Sequence, residues 1–390
     1  MLNARDRDRY AMNMDYDFHG ILGLRLIDPK PSFARWVGAE LKPLGTSASS
    51  IDPDVSVVRT SASVTSDAQF HLGNAGDYQE CVYSDSELWV HSDGEFLNIP
   101  FEALGKRCEI RYTGGFRASR AWRYVRPILQ IGLLEKGSLA VHASSMIYRD
   151  KGILFAGWAE SGKTEALLGF LMDGASMMSD KWTIISEHGD AIYNFPSRIT
   201  MRDWVPRYLP EILEILTPGQ KRRLRIGGAM TAMATRALQS ARRFDSVAML
   251  SDVLRPALDT GRTVTIDQSQ LVGLGGRDVK FDSAETQAPF DKLFFLLTSN
   301  RRDIEVIPSS AAEVSPRLAE CASYERRHLF GLYSKFKYAI PNAPPTALDD
   351  AKEREESMLQ RVLATKEVYQ VLAPFPCDPR AMQAAIAPFC

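Results

Sequence analysis

The sequence predicts an α/β protein of mixed α+β character, built around a mixed β-sheet that carries a phosphate-binding loop. Three observations support this fold class. Residues 157–164 read GWAESGKT, a complete G-x-x-x-x-G-K-[ST] motif between an apolar run and a helix-like stretch. Residues 14–118 consist of short β-like runs separated by turn residues. Residues 203–262 contain helical patterns, which indicates a helical insertion that could act as a lid.

The composition is that of an ordinary globular protein. The 390 residues are 45% hydrophobic and 24% charged, with 47 basic and 48 acidic side chains and a net charge of −1. Because no global field favours polyanions or anionic lipid, neither a nucleic-acid partner nor a membrane is expected. The five cysteines are scattered, the N-terminus lacks the apolar core of a secretory signal, and no apolar run reaches about 18 residues. A cytoplasmic location is therefore expected.

The N-terminal domain, residues 1–118, is predicted to be a small antiparallel sheet. Its strands are expected at Ile21–Leu26, Val55–Val58, Cys81–Tyr83, Leu88–His91, Phe96–Ile99 and Cys108–Tyr112. No chemistry-bearing cluster of residues stands out in this part. A helix is then expected over residues 119–135, because Trp122, Val125, Leu129 and Leu133 recur at helical spacing. Pro127 predicts a kink or a later start of that helix.

The loop-bearing domain is expected to comprise residues 119–202 and 263–390. A strand over Ser138–Ile147 turns back into a strand over Gly152–Ala156, which feeds the loop and a helix running to about Asp173. A short buried strand over Ala175–Met178 follows and ends at Asp180. The remaining elements are a hairpin (Thr183–Ser186 and Ala191–Phe195), a helix (Asp349–Thr365) and two closing strands (Leu293–Thr298 and Val368–Pro374).

The loop motif predicts binding of ATP with Mg²⁺. Its glycines let successive backbone N–H groups wrap a phosphate chain at the start of a helix. Lys163 would reach the β- and γ-phosphates, and the Thr164 hydroxyl would be a Mg²⁺ ligand. The residues expected at the nucleotide are Gly157, Trp158, Ala159, Glu160, Ser161, Gly162, Lys163, Thr164 and Glu165. The alternative is a glycine-rich turn with an incidental lysine.

Asp180 is the second candidate site residue. It ends the strand that follows the loop helix, where such folds place the carboxylate facing Mg²⁺ or the attacking hydroxyl. Asp180 is therefore expected to be a catalytic residue and, with Thr164, a metal ligand. The alternative is an aspartate that caps a helix or stabilises a turn.

Several of these segments together resemble a known family. The matching residues are Leu139–His142, Gly152–Thr164, Gly174, Ser179–Asp180 and Pro196–Arg202. In this order they resemble the catalytic domain of HPr serine kinase/phosphorylase, which is related to phosphoenolpyruvate carboxykinase. The resemblance covers residues 138–202 well and 290–385 loosely. It implies a sheet of that type and an ATP-dependent kinase activity, and family members often assemble as homo-oligomers.

The resemblance also implies catalytic roles. The residue at the position of Asp180 works on the proton of the attacking hydroxyl, and the residue at the position of His142 lies beside it. The alternative for His142 is an ordinary core histidine. The family usually carries a second aspartate where this chain has Lys181. Lys181 would then either neutralise phosphate charge or face solvent, and the family's reverse, phosphorylase activity is not implied.

The insertion, residues 203–262, has no counterpart in the resemblance. A helix is expected over Tyr208–Leu216, followed by a long basic helical segment. Its cations are Lys221, Arg222, Arg223, Arg225, Arg236, Arg242 and Arg243. They are either a solvated face or part of a lid that brings an arginine to the γ-phosphate.

Three functions follow from the sequence. The first is an ATP-dependent phosphotransferase acting on a hydroxyl of a peptide, a protein or a small molecule, with Asp180, His142 and Lys163 as catalytic residues. The second is an ATP-binding or ATP-hydrolysing regulatory protein whose insertion gates a partner. The third, a carboxykinase acting on a keto-acid, would need further metal ligands, and the six histidines do not cluster.

Overall fold

The structure is a computed structural model. It describes residues 13–46, 52–61, 70–73, 80–84, 87–228, 263–267, 270–271 and 286–390. The chain has the mixed α/β architecture expected from its sequence, and it divides into two compact units. Unit 1 comprises Met1–His142, Trp182–Pro196 and Ser310–Lys366, and unit 2 comprises Ala143–Lys181, Ser197–Ser309 and Glu367–Cys390.

The described strands and helices are numbered here in chain order. The strands are β1 Met14–Phe18, β2 Leu22–Ile27, β3 Val55–Thr60, β4 Phe70–Leu72, β5 Glu80–Tyr83, β6 Leu88–Ser92, β7 Glu95–Asn98, β8 Cys108–Thr113, β9 Leu139–Val141, β10 Ala143–Tyr148, β11 Lys151–Gly157, β12 Ser176–Ser179, β13 Thr183–Ile185, β14 Ala191–Asn194, β15 Ile199–Arg202, β16 Thr263–Ile266, β17 Gln287–Pro289, β18 Lys292–Thr298, β19 Glu305–Pro308 and β20 Glu367–Ala373. The helices are α1 Pro31–Glu40, α2 Ala118–Glu135, α3 Lys163–Met172, α4 Val205–Tyr208, α5 Ile212–Ile215, α6 Ala311–Glu325, α7 Arg327–Ala339, α8 Ala351–Leu363 and α9 Pro379–Ile386. Residues 218–228 are also helical.

Unit 1 contains a sheet with the strand order β1-β2-β3-β8-β7-β6-β5-β4. The strands predicted in this region are present, but the expected antiparallel sheet is wrong, because β2 pairs with β3 and β3 with β8 in parallel. A parallel neighbour requires a crossover connection, and the chain between β2 and β3 contains helix α1. This helix buries Phe33, Ala34 and Val37. It was not predicted, because only β-like runs were identified in the N-terminal region.

The helix predicted over 119–135 is α2, which belongs to unit 1 rather than to the loop-bearing part of the chain. It packs on α1, β2 and β9, so its apolar side chains complete the core of unit 1. Helices α6, α7 and α8 also belong to this unit. Buried Arg326 donates two hydrogen bonds to Glu355, at 2.9 and 2.8 Å, and one to Gln130, at 3.0 Å. The buried ion pair therefore ties these helices to α2.

Unit 2 contains a sheet with the strand order β12-β10-β11-β18-β20-β19. Strand β10 pairs antiparallel with both β11 and β12, whereas β11, β18 and β20 are parallel to one another. Strands β11 and β12 consequently point in the same direction, and both end at the same edge of the sheet. The predicted strands over Leu293–Thr298 and Val368–Pro374 are confirmed as β18 and β20.

Helix α3 anchors the end of β11 in the core of unit 2. The helix packs between the sheet and α9, so buried residues lie on all of its faces. These buried residues are Lys163 and Glu165 to Leu171. A Cβ atom on Gly169 would lie 2.1 Å from the Pro379 carbonyl oxygen, so the two helices approach too closely for any side chain there. The first turn of α3 is thus held rigidly under the loop.

Two predicted elements are wrong. The strand expected over Ser138–Ile147 is two strands, β9 and β10, which belong to different sheets and meet at His142. The helix expected over Tyr208–Leu216 is divided into α4 and α5, because Pro210 lacks the N–H and the freedom that a continuous helix needs.

The structure contains, within the parts of the chain that it describes, no helix with the length and apolar character needed to cross a membrane.

We expect acid destabilisation of unit 1 through His19. Its Nε2 atom lies 2.8 Å from the Asn194 carbonyl oxygen, its ring stacks on Tyr193, and burial lowers its pKa below the usual value. The unfolded chain therefore binds a proton more readily, so stability falls as the pH drops through about 6.5. Thermal unfolding measured between about pH 8 and 5 should show a smaller loss in His19→Gln than in the wild type.

The matched control for that measurement is His188→Gln, because His188 is an exposed histidine in the β13–β14 turn of the same unit. It should keep the wild-type pH profile. An unchanged profile in His19→Gln would remove His19 as the cause.

Gly169→Ala should destabilise unit 2 by about 1–3 kcal/mol, because its methyl group must displace the backbone of α9 from α3. Calorimetry or urea unfolding measures this loss. In Gly331→Ala the new Cβ meets nothing within 4 Å on exposed α7, so helix propensity should raise stability by about 0.5–1 kcal/mol. Equal effects of the two alanines would contradict the close packing of α3 and α9.

Candidate functional site

The loop between β11 and α3 has the backbone of an anion-binding turn. Glu160 and Gly162 adopt positive φ angles of 62° and 94° on either side of Ser161. Such alternation of backbone conformation points neighbouring N–H groups to one side, which creates a concave binding surface for anions. Trp158, Ala159 and Glu160 are exposed, whereas Ser161 and Lys163 are buried.

Gly157 is required for the close approach of the loop to the sheet. Its φ is 152°, and a Cβ atom there would lie 2.6 Å from the Leu296 carbonyl oxygen and 2.7 Å from Ser161 Oγ. Leu296 belongs to β18, the parallel neighbour of β11. The loop therefore lies at the carboxyl ends of parallel strands, where open α/β sheets bind their ligands.

Lys163 lies folded across the loop. Its ammonium group donates hydrogen bonds to the carbonyl oxygens of Gly157, at 2.9 Å, and Trp158, at 2.6 Å. A positive charge is thus held at the concave backbone, where it would attract a phosphate group.

Thr164 and Asp180 meet because β11 and β12 end at the same sheet edge. The Thr164 hydroxyl donates a hydrogen bond of 3.1 Å to Asp180 Oδ1. Asp180 is fully buried, and its backbone carbonyl accepts a hydrogen bond of 2.5 Å from the Ser197 hydroxyl. The structure therefore brings together Lys163, Thr164 and Asp180, three of the residues predicted from the sequence.

Burial raises the pKa of the Asp180 carboxyl above its usual value. The charges of Lys181 and Lys163 and the hydrogen bond from Thr164 act in the opposite direction. Among the described residues, Asp180 Oδ2 has no hydrogen-bond partner, and the same is true of Ser161 Oγ in the loop. A buried carboxylate oxygen without a partner is costly, so its position calls for a cation or a hydroxyl group.

The oxygen atoms of Thr164 and Asp180 suit a Mg²⁺ ion that is also bound to phosphate. Mg²⁺ is usually held by one or two protein oxygens together with substrate phosphates and water, not by a cage of protein ligands. The Thr164 hydroxyl and the Asp180 carboxylate are hard oxygen ligands of this kind. The described parts of the chain contain no group of three or more His, Cys, Asp or Glu residues that could hold an ion by themselves.

Lys181 occupies the position directly after Asp180. Its φ is 76°, a left-handed conformation that residues other than glycine rarely adopt, and its ammonium group donates a hydrogen bond of 3.0 Å to Thr200 Oγ1. The side chain is half-buried rather than extended into solvent. Lys181 thus supplies a fixed positive charge next to Asp180, which favours the electrostatic alternative expected for it.

Two further residues, Arg202 and Trp204, lie beside the loop, and the sequence patterns assigned them no specific role. Arg202, at the end of β15, forms a salt bridge with Glu160, and its guanidinium lies 5.4 Å from the ring centre of Trp204. Glu165, one of the residues expected at the nucleotide, is buried in the first turn of α3, and burial raises its pKa. Arg202 belongs to the Pro196–Arg202 segment that carries part of the family resemblance. Its contact with Glu160 could not be predicted, because a single arginine in a sequence does not indicate its partner.

His142 belongs to unit 1, at the break between β9 and β10. Its Nδ1 atom lies 3.3 Å from Cys321 Sγ, and its ring centre lies 5.2 Å from that of Trp182. These are contacts of a buried histidine with its own core. The assisting role expected for His142 stays a prediction.

The basic segment of the insertion is described only in part. Lys221, Arg222, Arg223 and Arg225 are exposed on the helical residues 218–228. Arg236, Arg242 and Arg243 lie outside the described residues. The choice between a solvated face and a lid therefore stays open.

No protein-family model matches the chain, and a search of curated proteins finds no related protein.

Gly157→Ala should weaken nucleotide binding and lower thermal stability, because the added methyl group would clash with the Leu296 carbonyl and the Ser161 hydroxyl. Titration with Mg²⁺ and an ATP analogue, together with the melting temperature, measures both effects. Gly219→Ala is the control, because its Cβ would meet nothing within 4 Å. A Gly157→Ala protein that binds as the wild type does would show that the tight loop is not needed.

Proposed function

We propose that this chain is an ATP-dependent phosphotransferase that transfers the γ-phosphate of ATP to a hydroxyl group. The observation that carries the proposal is the cluster of Lys163, Thr164 and buried Asp180 at one sheet edge, with an unsatisfied carboxylate oxygen beside an anion-binding loop. Phosphoryl transfer depends mainly on positioning and charge neutralisation, and this cluster offers both.

The proposal includes the HPr kinase-like fold suggested by the sequence resemblance. The order of elements around the loop supports it: β10, a tight turn, β11, the loop, α3, β12 and then Asp180. The tight turn places Arg149 and Asp150 at positive φ, as a two-residue hairpin requires. One fold can host many different reactions, so the proposed function rests on the residues of the site.

In the proposed reaction, the acceptor oxygen attacks the γ-phosphorus and forms a new P–O bond. The bond between the γ-phosphorus and the bridging oxygen breaks, and ADP leaves with that electron pair. Asp180 Oδ2, which has no other hydrogen-bond partner among the described residues, receives the proton of the acceptor hydroxyl. A carboxylate whose pKa is raised by burial holds this proton more firmly than an exposed one would.

The cations of the site have separate tasks. Lys163 holds the phosphates from inside the loop, and Thr164 and Asp180 would hold Mg²⁺, which when bound neutralises the β- and γ-oxygens. Lys181 adds a second fixed charge close to Asp180 and lowers the energy of the ionised carboxylate. Since this lysine replaces a second carboxylate, we propose transfer in the kinase direction only.

Lys163→Ala and Asp180→Asn should each reduce phosphate transfer by at least about a hundredfold. Lys163→Ala should also weaken nucleotide binding, whereas Asp180→Asn should leave it largely intact, because the amide keeps the shape of the carboxylate but cannot accept a proton. The assay follows label from γ-labelled ATP with Mg²⁺ into cell extract, hydroxyl-bearing peptides and small alcohols. Calorimetry measures binding of a non-hydrolysable analogue.

Glu214→Gln serves as the control, because it neutralises an exposed carboxylate in the same unit. Retained transfer in Asp180→Asn would exclude Asp180 as the base. Tight nucleotide binding by the wild type without transfer to any acceptor would instead favour the regulatory, nucleotide-sensing function.

A further inference from the structure

Arg202 is a charged residue beside the loop that has no role in the proposed reaction. It forms a salt bridge with Glu160, a residue of the loop itself. The Arg202 side chain is 21% exposed and the Glu160 side chain 52%, so the pair lies at the open side of the loop. A nucleotide entering from solvent would therefore meet both groups.

A glutamate in a phosphate-binding loop is electrostatically unfavourable. It would repel the phosphates that the backbone N–H groups and Lys163 attract, unless a cation neutralises it. Arg202 is that cation in this structure. A guanidinium group recognises the two oxygens of a carboxylate and the oxygens of a phosphate with the same planar geometry, so a phosphate can take the place of the carboxylate.

The position of Arg202 on its strand indicates which phosphate it would contact. Strand β15 alternates between buried residues, Ile199 and Met201, and half-buried ones, Thr200 and Arg202. Thr200 accepts the hydrogen bond from Lys181, next to Asp180, and Arg202 lies two residues further along the same face. This face of β15 therefore runs from the proposed proton acceptor to the loop, along the side on which the terminal phosphate is transferred.

The aromatic support of Arg202 limits where the guanidinium can go. It lies over the ring of Trp204, which packs edge-on against Phe375 at 5.2 Å. A guanidinium held against an aromatic face keeps its orientation while its partner changes. The carboxylate of Glu160 is on a more exposed side chain and is the partner that can leave.

From this geometry we infer that Arg202 binds the terminal phosphate of the nucleoside triphosphate, exchanging Glu160 for it, and thereby discriminates triphosphate from diphosphate. The inference rests on the proposed function, because it assumes a nucleotide in the loop. It adds a residue that senses the transferable group: after transfer, the terminal phosphate is gone and Arg202 returns to Glu160.

The test compares binding of two Mg²⁺-nucleotides, a non-hydrolysable ATP analogue and ADP, by calorimetry. Arg202→Ala should lower the affinity for the analogue by about tenfold to hundredfold, the range expected for the loss of a charged hydrogen bond. It should lower the affinity for ADP by less than about threefold. Arg202→Lys, which keeps the charge but not the planar group, should fall between. Arg207→Ala removes an exposed arginine from α4 and should leave both affinities unchanged.

Glu160→Gln provides an independent variant. Because the amide competes less strongly for Arg202, Glu160→Gln should raise the affinity for the analogue by about twofold to tenfold. In the double variant with Arg202→Ala, Glu160→Gln should raise this affinity by a smaller factor. Melting temperatures of all variants exclude loss of the fold as the cause.

A triphosphate preference that survives in Arg202→Ala, or an equal loss for both nucleotides, would overturn the assignment of Arg202 while leaving the proposed kinase intact. Wild-type protein that binds neither nucleotide would overturn both.

Discussion

The candidate site exists because a single strand, β10, pairs antiparallel with two neighbours. This pairing forces β11 and β12 to run in the same direction, so that the loop at Gly157 and the carboxylate at Asp180 come to one sheet edge. The helix between them, α3, is fixed by packing on all sides, including backbone contact with α9 at Gly169. The hydrogen bond from Thr164 to Asp180 then joins the first turn of α3 to the end of β12. Without β10 between its two partners, the sheet would not hold the loop and Asp180 at the same edge.

Much of this arrangement follows from local sequence patterns. The strand, loop and helix around residues 151–172 were predictable because the apolar run, the glycines and the helical periodicity are all contained in one short segment. Asp180 was predictable because a short buried strand ends directly before it. The β13–β14 hairpin and the closing strands β18 and β20 were predictable for the same reason, since strand length and flanking turn residues define them.

The patterns failed where the structure depends on which partner a strand selects. Leu139 to Ile147 was predicted as one strand, but its two halves pair in different sheets, and a short β-like run carries no information about its pairing partners. The parallel pairing of β2, β3 and β8 is set by crossover connections, which short β-like runs do not reveal. The contact of Arg202 with Glu160 joins a strand end to a loop distant in sequence, so no spacing rule could have found it. Pro210, by contrast, was a visible helix breaker within the expected Tyr208–Leu216 helix.

The balance of charge around Asp180 explains why a lysine is suited to position 181. Asp180 and Glu165 are both buried carboxyl groups, and the repulsion between their negative charges contributes to the raised pKa of Glu165. A third carboxylate at position 181 would increase that repulsion, whereas Lys181 lowers the pKa of Asp180 and, through Thr200, is fixed to the strand that carries Arg202. The left-handed backbone of Lys181 is the kind of strain that persists only where surrounding contacts enforce it, here the bond to Thr200. In the proposed reaction, Lys163, Lys181 and Arg202 would therefore neutralise phosphate charge, and Asp180 would be the carboxylate that faces the acceptor hydroxyl.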